Sequence, residues 1–133
     1  MKKVILGLFL LAFILIVFFV FMSRKSTSHL NIYKIDSKNY YLLEAKNPTD
    51  WIKGLMFYKS KNELNGADGM IFIFPVKQKQ SFWNENTYMD LELYWMDGET
   101  VIGKSYLPSI IKTKKLLIIN SPGEVDRVAE IIR

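Results

Sequence analysis

The sequence contains no cysteine and a single histidine, His29. The absence of cysteine excludes disulfide bonds, acylation of a lipoprotein cysteine, thiolate zinc sites and a cysteine nucleophile. One histidine does not provide the ligand set of a transition-metal site, and no Gly-x-Ser-x-Gly motif marks a serine nucleophile. We therefore predict no metal site, no cofactor and no identifiable catalytic residue, which favours a protein that is not an enzyme.

Positive charge is concentrated at one end of the chain. The 133 residues carry a formal charge of +5, and four basic residues flank the first apolar segment, namely Lys2, Lys3, Arg24 and Lys25. The other residues include 14 basic and 13 acidic side chains, so they are almost neutral. A nucleic-acid-binding surface is therefore disfavoured. The length allows one domain.

Residues 4–22 form an apolar segment without a charged residue. As a helix it would be about 28 Å long, close to the roughly 30 Å hydrocarbon core of a bilayer. The segment is longer than the apolar part of a typical signal peptide, and Phe21-Met22-Ser23 lacks the small residues of a cleavage site. We expect an uncleaved transmembrane anchor in residues 1–22, a polar spacer in 23–29 and one domain in 30–133. A cleaved signal peptide is the alternative.

Basic residues flank this segment on both sides, so the positive-inside rule gives a near tie. Only three residues precede the segment, which leaves nothing to fold on that side. We expect a single-pass membrane protein that contacts the lipid bilayer through residues 4–22. The domain is expected to face outside the cytoplasm.

The remaining sequence is typical of a mainly β domain. Apolar and alternating segments predict strands at 30–35, 39–45, 70–74, 80–84, 88–96, 100–107 and 115–120. Asp97-Gly98 is typical of a two-residue hairpin turn. We expect a small antiparallel β sandwich or barrel with two short helices, preceded by one N-terminal transmembrane helix.

Two segments carry signals for the start of a helix. Asn47-Pro48-Thr49-Asp50 offers a capping residue followed by proline, and should place Trp51, Ile52, Leu55 and Met56 on one side. Ser121-Pro122-Gly123-Glu124 offers a second cap and a capping-box glutamate. Val125, Val128, Ala129 and Ile132 follow at helical spacing, so we expect a final helix there.

Several short motifs occur in order along the domain: Glu44-Ala45, Gly54-Leu55-Met56, Gly69 to Pro75, Phe82-Trp83, Asn86-Thr87 and Asp97-Gly98. Together they resemble the domain-of-unknown-function 192 family over about residues 35–131. The resemblance implies a compact, largely antiparallel β domain without an agreed activity. The sequence differs from the family pattern at four positions. The family usually has arginine at Tyr58, methionine at Asn84, proline at Asp90 and aspartate at Glu92. The family pattern also continues past the final segment, so an open strand edge is expected.

The candidate ligand site combines aromatic, amide, hydroxyl and carboxylate side chains, namely Trp83, Asn86, Thr87, Asp90 and Glu92. An indole ring can cover the C–H face of a sugar while amides bond its hydroxyls. We therefore expect a binding or accessory module, with carbohydrate or a cell-envelope polymer as the first candidate ligand. Trp83 packed into the core and carboxylates on a solvated strand face are the alternatives.

Two other functions are compatible with the sequence. Asp90 and Glu92 are two positions apart on a predicted strand, as in a carboxylate-dependent hydrolase. An open strand edge would instead suit a scaffold for a protein partner that the sequence does not identify. Lys112, Lys114 and Lys115 form a basic loop, which is typical of solvated surface, with contact to lipid headgroups as the alternative.

Overall fold

A computed structural model describes residues 30–133 of the chain. Strands are the main element of this part, and we number them β1 to β8 in chain order. Their bounds are β1 Asn31–Ile35, β2 Lys38–Ala45, β3 Gly69–Gln78, β4 Ser81–Trp83, β5 Leu91–Asp97, β6 Thr100–Leu107, β7 Ile118–Asn120 and β8 Val125–Ile132. The predicted mainly β class is confirmed, as are the first hairpin and the turn at Asp97-Gly98.

Six strands form one sheet in the order β1-β2-β3-β8-β5-β6, and β4 pairs with β7 in a separate ribbon. The pairing of β2 with β3 is parallel, and the other pairs are antiparallel. A parallel pair needs a crossover connection. Residues 46–68 provide it, with helix α1 at Pro48–Lys53 and a 3-10 turn at Lys61–Leu64.

Helix α1 begins as predicted, with the side chain of Asn47 accepting a hydrogen bond from the Asp50 backbone N–H over 3.0 Å. The helix ends at Lys53, so Leu55 and Met56 follow it and do not extend its apolar face. Gly54 ends the helix with a φ of +47°. A second short helix, α2, spans Ile110–Thr113.

The predicted C-terminal helix is wrong, because Val125–Ile132 is strand β8. This strand pairs with β3 on one side and β5 on the other, at the centre of the six-stranded sheet. Six of its eight residues are apolar or the buried Glu130, so both faces pack against protein. Burial between two strands outweighs the local helix signals.

Proline does not end β3 as expected. The strand continues through Pro75 to Gln78, but its pairing with β8 is interrupted between Ile73 and Gln78. Proline is tolerated at such an irregularity because no ladder hydrogen bond is needed from its nitrogen. Three of the four residues between these positions, Phe74, Pro75 and Val76, form part of the wall described below.

The large sheet curls into a half-barrel. Tyr40 on β2 and Tyr94 on β5 are separated by two strands, yet their hydroxyl oxygens lie 3.4 Å apart. An ion pair joins Asp36, in the β1–β2 turn, to Lys104 on β6. One face of the sheet therefore encloses a small core around Leu42, Ile71 and Ala129.

The opposite face carries the larger core, which the crossover segment and the β4–β7 ribbon cover. Its members include Phe72, Leu93, Trp95 and Val128 from the sheet and Phe82 from the ribbon. Strand β5 contributes Leu91, Leu93 and Trp95 to this core, and all three are fully buried.

Within residues 30–133, no helix has the length and apolar character that crossing a bilayer requires. The predicted anchor at 4–22, the spacer at 23–29 and His29 lie outside the described residues.

Candidate functional site

A cavity of about 380 Å³ opens between the crossover segment, β3 and the β4–β7 ribbon. Its walls are mostly aromatic and aliphatic, with Trp51, Leu55, Phe72, Phe74, Phe82 and Trp83 among the lining residues. This volume is within the range of ordinary small-molecule sites, which combine apolar walls with a few convergent polar groups. We refer to it as the aromatic cavity.

Glu130 is the principal polar group of the aromatic cavity. It lies on β8, where its backbone is opposite Met70 of β3 and Leu93 of β5, and only 5% of its surface is exposed. Burial raises the pKa of this carboxyl to about 8, against the opposing effect of a hydrogen bond from the Leu55 backbone N–H. At neutral pH the group is therefore mainly a neutral carboxylic acid.

The Oε2 atom of Glu130 is buried and has no hydrogen-bond partner. An unpaired buried polar atom carries a desolvation cost of about 1–3 kcal/mol, so such atoms are uncommon in folded proteins. Sites of this kind are often completed by a ligand or water.

A second unpaired polar atom lines the same cavity. The Nε2 atom of Gln80 is buried without a partner, whereas the Gln80 backbone is fixed by two contacts with Ser121. The Gln80 N–H donates to Ser121 Oγ over 3.0 Å, and the Gln80 carbonyl accepts from the Ser121 N–H over 2.9 Å. A positioned amide donor and a carboxyl group therefore both line one apolar cavity.

Gly54 allows the crossover segment to lie close to the Glu130 carboxyl group. A Cβ atom at Gly54 would lie 3.0 Å from Phe72 Cζ and 3.6 Å from Glu130 Oε2. The φ of +47° is also a backbone conformation that glycine adopts at little cost. The Gly54-Leu55-Met56 motif thus closes one side of the cavity and directs the Leu55 N–H to the carboxyl.

The aromatic walls are fixed by mutual packing. The rings of Trp51 and Phe74 are 5.2 Å apart, and the Trp51 indole N–H donates to the Ala45 carbonyl over 3.0 Å. Phe82 makes edge-to-face contacts with Phe72 at 4.8 Å and with Trp95 at 5.6 Å. These contacts hold the walls in place without a bound molecule.

Two of the predicted ligand residues, Trp83 and Thr87, line the aromatic cavity. Trp83 is 37% exposed, and Thr87 is buried with its hydroxyl donating to the Glu85 carbonyl over 3.2 Å. Asn86 is not among the lining residues; its φ is +50°, and its carbonyl accepts a hydrogen bond from the Phe57 N–H over 2.8 Å.

Asp90 and Glu92 do not line the aromatic cavity. Asp90 accepts hydrogen bonds from the Ser109 backbone N–H at 2.8 Å and the Tyr106 hydroxyl at 2.7 Å. These two bonds hold its pKa at about 2, with a further contribution from Lys112. Glu92 lies on β5 opposite Tyr106, on the face away from Leu91 and Leu93.

Sequence reasoning missed Glu130 because residues 125–132 resembled a helix. On a helix this carboxylate would be solvated. Within a buried strand it is a single acidic residue among Val128, Ala129, Ile131 and Ile132. A carboxylate inside the apolar run 128–132 was the available signal.

Among residues 30–133, no group of three or more histidine, aspartate or glutamate side chains is arranged to hold a metal ion. The ionisable side chains that line the aromatic cavity are Lys53 and Glu130. The cavity therefore offers one carboxyl group, one ammonium group, two indoles and the side-chain amides of Gln78 and Gln80.

Two solved bacterial structures have a similar fold. One is a protein of unknown function from Novosphingobium aromaticivorans DSM 12444, with a TM-score of 0.61 and 22% identity, covering 81% of this chain and 78% of that one. The other is a candidate transcription regulator from Sinorhizobium meliloti 1021, with a TM-score of 0.58, 21% identity and 76% coverage of both chains. At these identities the likeness concerns the fold alone.

No curated protein matches the chain. The family model DUF192, described as "Uncharacterized ACR", matches residues 32–131. The motifs that carry this resemblance include Gly54-Leu55-Met56, Phe82-Trp83 and Thr87, which all line the aromatic cavity. The match spans most of the chain, so the protein belongs to the DUF192 family.

Proposed function

We propose that the domain is a binding module for a small, largely apolar ligand with a hydrogen-bonding group. One observation carries this proposal: Gln80 and Glu130 both line the aromatic cavity, and each has a buried polar atom without a partner, Nε2 and Oε2 respectively. A ligand in the cavity would satisfy both atoms and cover the surrounding aromatic walls.

The chemistry of these two groups restricts the ligand. The Gln80 amide donates a hydrogen bond, and a neutral Glu130 carboxyl can both donate and accept. A ligand carbonyl or hydroxyl matches this pair, since it offers an acceptor without requiring a buried charge. The apolar walls favour an aromatic or aliphatic body attached to that group.

Carbohydrate, which was the first candidate ligand on the sequence alone, is the second candidate for this cavity. Trp83 supports it, because its partly exposed indole lies at the cavity and offers a face for a sugar ring. In this arrangement the sugar hydroxyls would contact Gln80 and Glu130. Asn86, Asp90 and Glu92 would not contribute, because they lie outside the lining.

Hydrolysis by Asp90 and Glu92 has less support. That mechanism needs one carboxyl with a raised pKa, whereas the pKa of Asp90 is about 2. The carboxyl with the raised pKa is Glu130, and the other ionisable lining residue of its cavity is Lys53. An acid and base pair is therefore not assembled there.

The test is ligand binding to the full chain in nanodiscs, with indole, 4-methylphenol, N-acetylglucosamine and a peptidoglycan disaccharide as probes. We expect a saturable change in tryptophan fluorescence, because Trp51 and Trp83 line the cavity. Glu130→Gln should weaken binding of the active probe about tenfold, since it alters one polar contact.

Glu124→Gln is the matched control, because it removes an exposed carboxylate just before the same strand. It should leave the affinity unchanged. Equal affinity for the Glu130→Gln and Glu124→Gln variants would contradict the assigned site. Saturation by none of the four probes would contradict a ligand of these two classes.

We further propose that residues 4–22 anchor this module in a membrane, with the domain outside the cytoplasm. The length and apolar character of the segment support the anchor. Because the chain lacks cysteine, Glu99→Cys provides a single labelling position in the β5–β6 turn. A membrane-impermeant maleimide should label it in intact bacterial cells, and labelling only after lysis would contradict this orientation.

A further inference from the structure

Residues 110–120 combine two properties that the proposed cavity does not explain. The segment contains Lys112, Lys114 and Lys115 and no acidic residue, and six of its other side chains are isoleucine or leucine. It includes helix α2, a short loop and strand β7. Basic and apolar residues in one segment are typical of surfaces that contact membranes.

The fold divides the apolar side chains of this segment between core and surface. Ile119 is opposite Phe82 in the β4–β7 ribbon and packs against the large core. Ile118 is opposite Trp83, and this pair is 60% and 37% exposed, respectively. Ile111 and Leu116 are exposed as well, at 64% and 55%.

The lysines accompany these exposed side chains. Lys112 contacts the Tyr106 hydroxyl at 2.7 Å and Asp90 at 3.3 Å, so its charge is partly balanced. Lys114 ends helix α2 in a left-handed conformation, and Lys115 follows; both are exposed. We call Ile111, Leu116, Ile118 and these three lysines, which are all exposed within one eight-residue stretch, the basic apolar face.

We propose that the basic apolar face rests on the anionic headgroups of a lipid bilayer. Lysine ammonium groups are attracted to anionic lipids, while isoleucine and leucine side chains insert at the headgroup boundary. A symmetric pairing of two copies of this chain would instead bring both sets of lysines into one interface, and the segment has no acidic residue to balance them.

The proposed anchor is consistent with this position and supports the inference, which rests in part on it. Residues 23–29 separate the apolar segment from the domain. Seven extended residues span at most about 25 Å, so an anchored domain would stay close to the bilayer surface.

The experiment uses the full chain carrying Ile118→Cys, labelled with an environment-sensitive fluorophore and reconstituted in vesicles. One set of vesicles is phosphatidylcholine, and the other contains 30% phosphatidylglycerol. We expect a blue shift and quenching by nitroxide-labelled lipid in the anionic vesicles only. Glu99→Cys, in the β5–β6 turn, is the matched control and should remain in water in both.

A double variant, Lys114→Glu with Lys115→Glu, tests whether these lysine charges bring position 118 to the bilayer. It leaves the Lys112 contacts to Asp90 and Tyr106 intact. This double variant should abolish the shift at position 118, whereas 1 M salt should reduce it in the unmodified chain. An undiminished shift in the double variant would overturn the role of the lysines.

The vesicle experiment separates this proposal from the proposed anchor. A chain that floats with both vesicles while position 118 stays in water overturns the docking alone. A chain that floats only with anionic vesicles and is released by salt supports the docking and contradicts the anchor. A blue shift at position 118 that depends on the number of protein copies per vesicle, and not on lipid charge, indicates self-association and overturns the proposal.

Discussion

Asn84 illustrates how a single buried amide connects three parts of the domain. Its Nδ2 donates to the Pro108 carbonyl over 3.1 Å and to Thr113 Oγ1 over 3.0 Å, and its Oδ1 accepts from the Leu117 N–H over 2.8 Å. The residue is fully buried. These bonds join the end of β4 to helix α2 and to the loop before β7.

We expect Asn84→Ala to lower the free energy of unfolding by about 2–4 kcal/mol. The substitution leaves the Leu117 N–H and the Pro108 carbonyl without their partner. Urea denaturation measures the loss. Asn120→Ala is the control, because Asn120 makes an exposed contact with Ser81 and should cost less than about 1 kcal/mol. Equal losses would contradict a structural role specific to Asn84.

Glu130 should make stability depend on pH in the range where few other groups titrate. Its pKa rises from 4.5 in the unfolded chain to about 8 in the folded domain, so the folded state holds a proton that the unfolded state releases. The contribution of Glu130 to the free energy of unfolding should therefore be greatest below pH 4.5. It should fall by about 1 kcal/mol per pH unit between pH 4.5 and pH 8.

The Glu130→Gln variant provides the comparison, because a neutral amide of similar shape removes the titration. Its stability should change little between pH 5 and pH 8, and at pH 8 it should equal or exceed that of the unmodified chain. Thermal unfolding at several pH values measures both profiles. Parallel profiles for the two chains would show that Glu130 is ionised in the folded domain.

Part of the candidate site could be predicted residue by residue. Trp83 and Thr87 were selected from composition, and both line the aromatic cavity. Asp90 and Glu92 are candidates from the sequence because carboxylates two apart share a strand face, but Asp90 precedes β5 and neither residue lines the cavity. Spacing along one strand does not reveal which face another element covers.

At the level of elements, the β8 segment shows where local signals fail. Ser121, Pro122 and Glu124 satisfy the usual rules for a helix start, and four apolar residues follow at helical spacing. The same residues also suit a strand buried on both faces. Neighbouring β3 and β5 decide between the two, and their position is a long-range property that no short window contains.

Gly69 tests how closely β3 and β8 must approach. A Cβ atom at this position would lie 1.8 Å from the Glu130 carbonyl oxygen, so the strands cannot keep their spacing with any side chain there. We expect Gly69→Ala to cost more than about 3 kcal/mol or to prevent folding.

Gly98→Ala is the matched control for Gly69→Ala. Gly98 has a φ of +58° and open space around it, so alanine should cost only about 1 kcal/mol from backbone strain. Chemical denaturation of both variants provides the measurement. A larger loss at Gly98 than at Gly69 would contradict the close approach of the two strands.

For the whole molecule, the alternation of apolar and polar residues and the turn residues predicted the β-rich class. They did not predict that the large sheet curls into a half-barrel. Alternation predicts which residues face inward on each strand but not which strands are neighbours. The half-barrel depends on the order β1-β2-β3-β8-β5-β6 and on contacts such as Tyr40 with Tyr94. These pairings join residues far apart in sequence, and no local pattern encodes them.

Strand β8 should be indispensable for the fold as a whole. Removing residues 125–133 would separate β1-β2-β3 from β5-β6 and expose the inner edges of β3 and β5. We expect the shortened chain to lack a cooperative thermal transition and to aggregate. Circular dichroism and light scattering measure these outcomes, and a sharp transition in the shortened chain would contradict the central role of β8.

The position of β8 also determines when the domain can fold during its production. Ribosomes extend a chain from the N-terminus at about 5–20 residues per second, and many domains begin folding before synthesis is complete. Within the described residues 30–133, the strand that joins the two halves of the sheet follows all the other strands of that sheet in the chain. The six-stranded sheet cannot be completed before residues 125–132 emerge, so until then β3 and β5 each lack the neighbour that covers their inner edge.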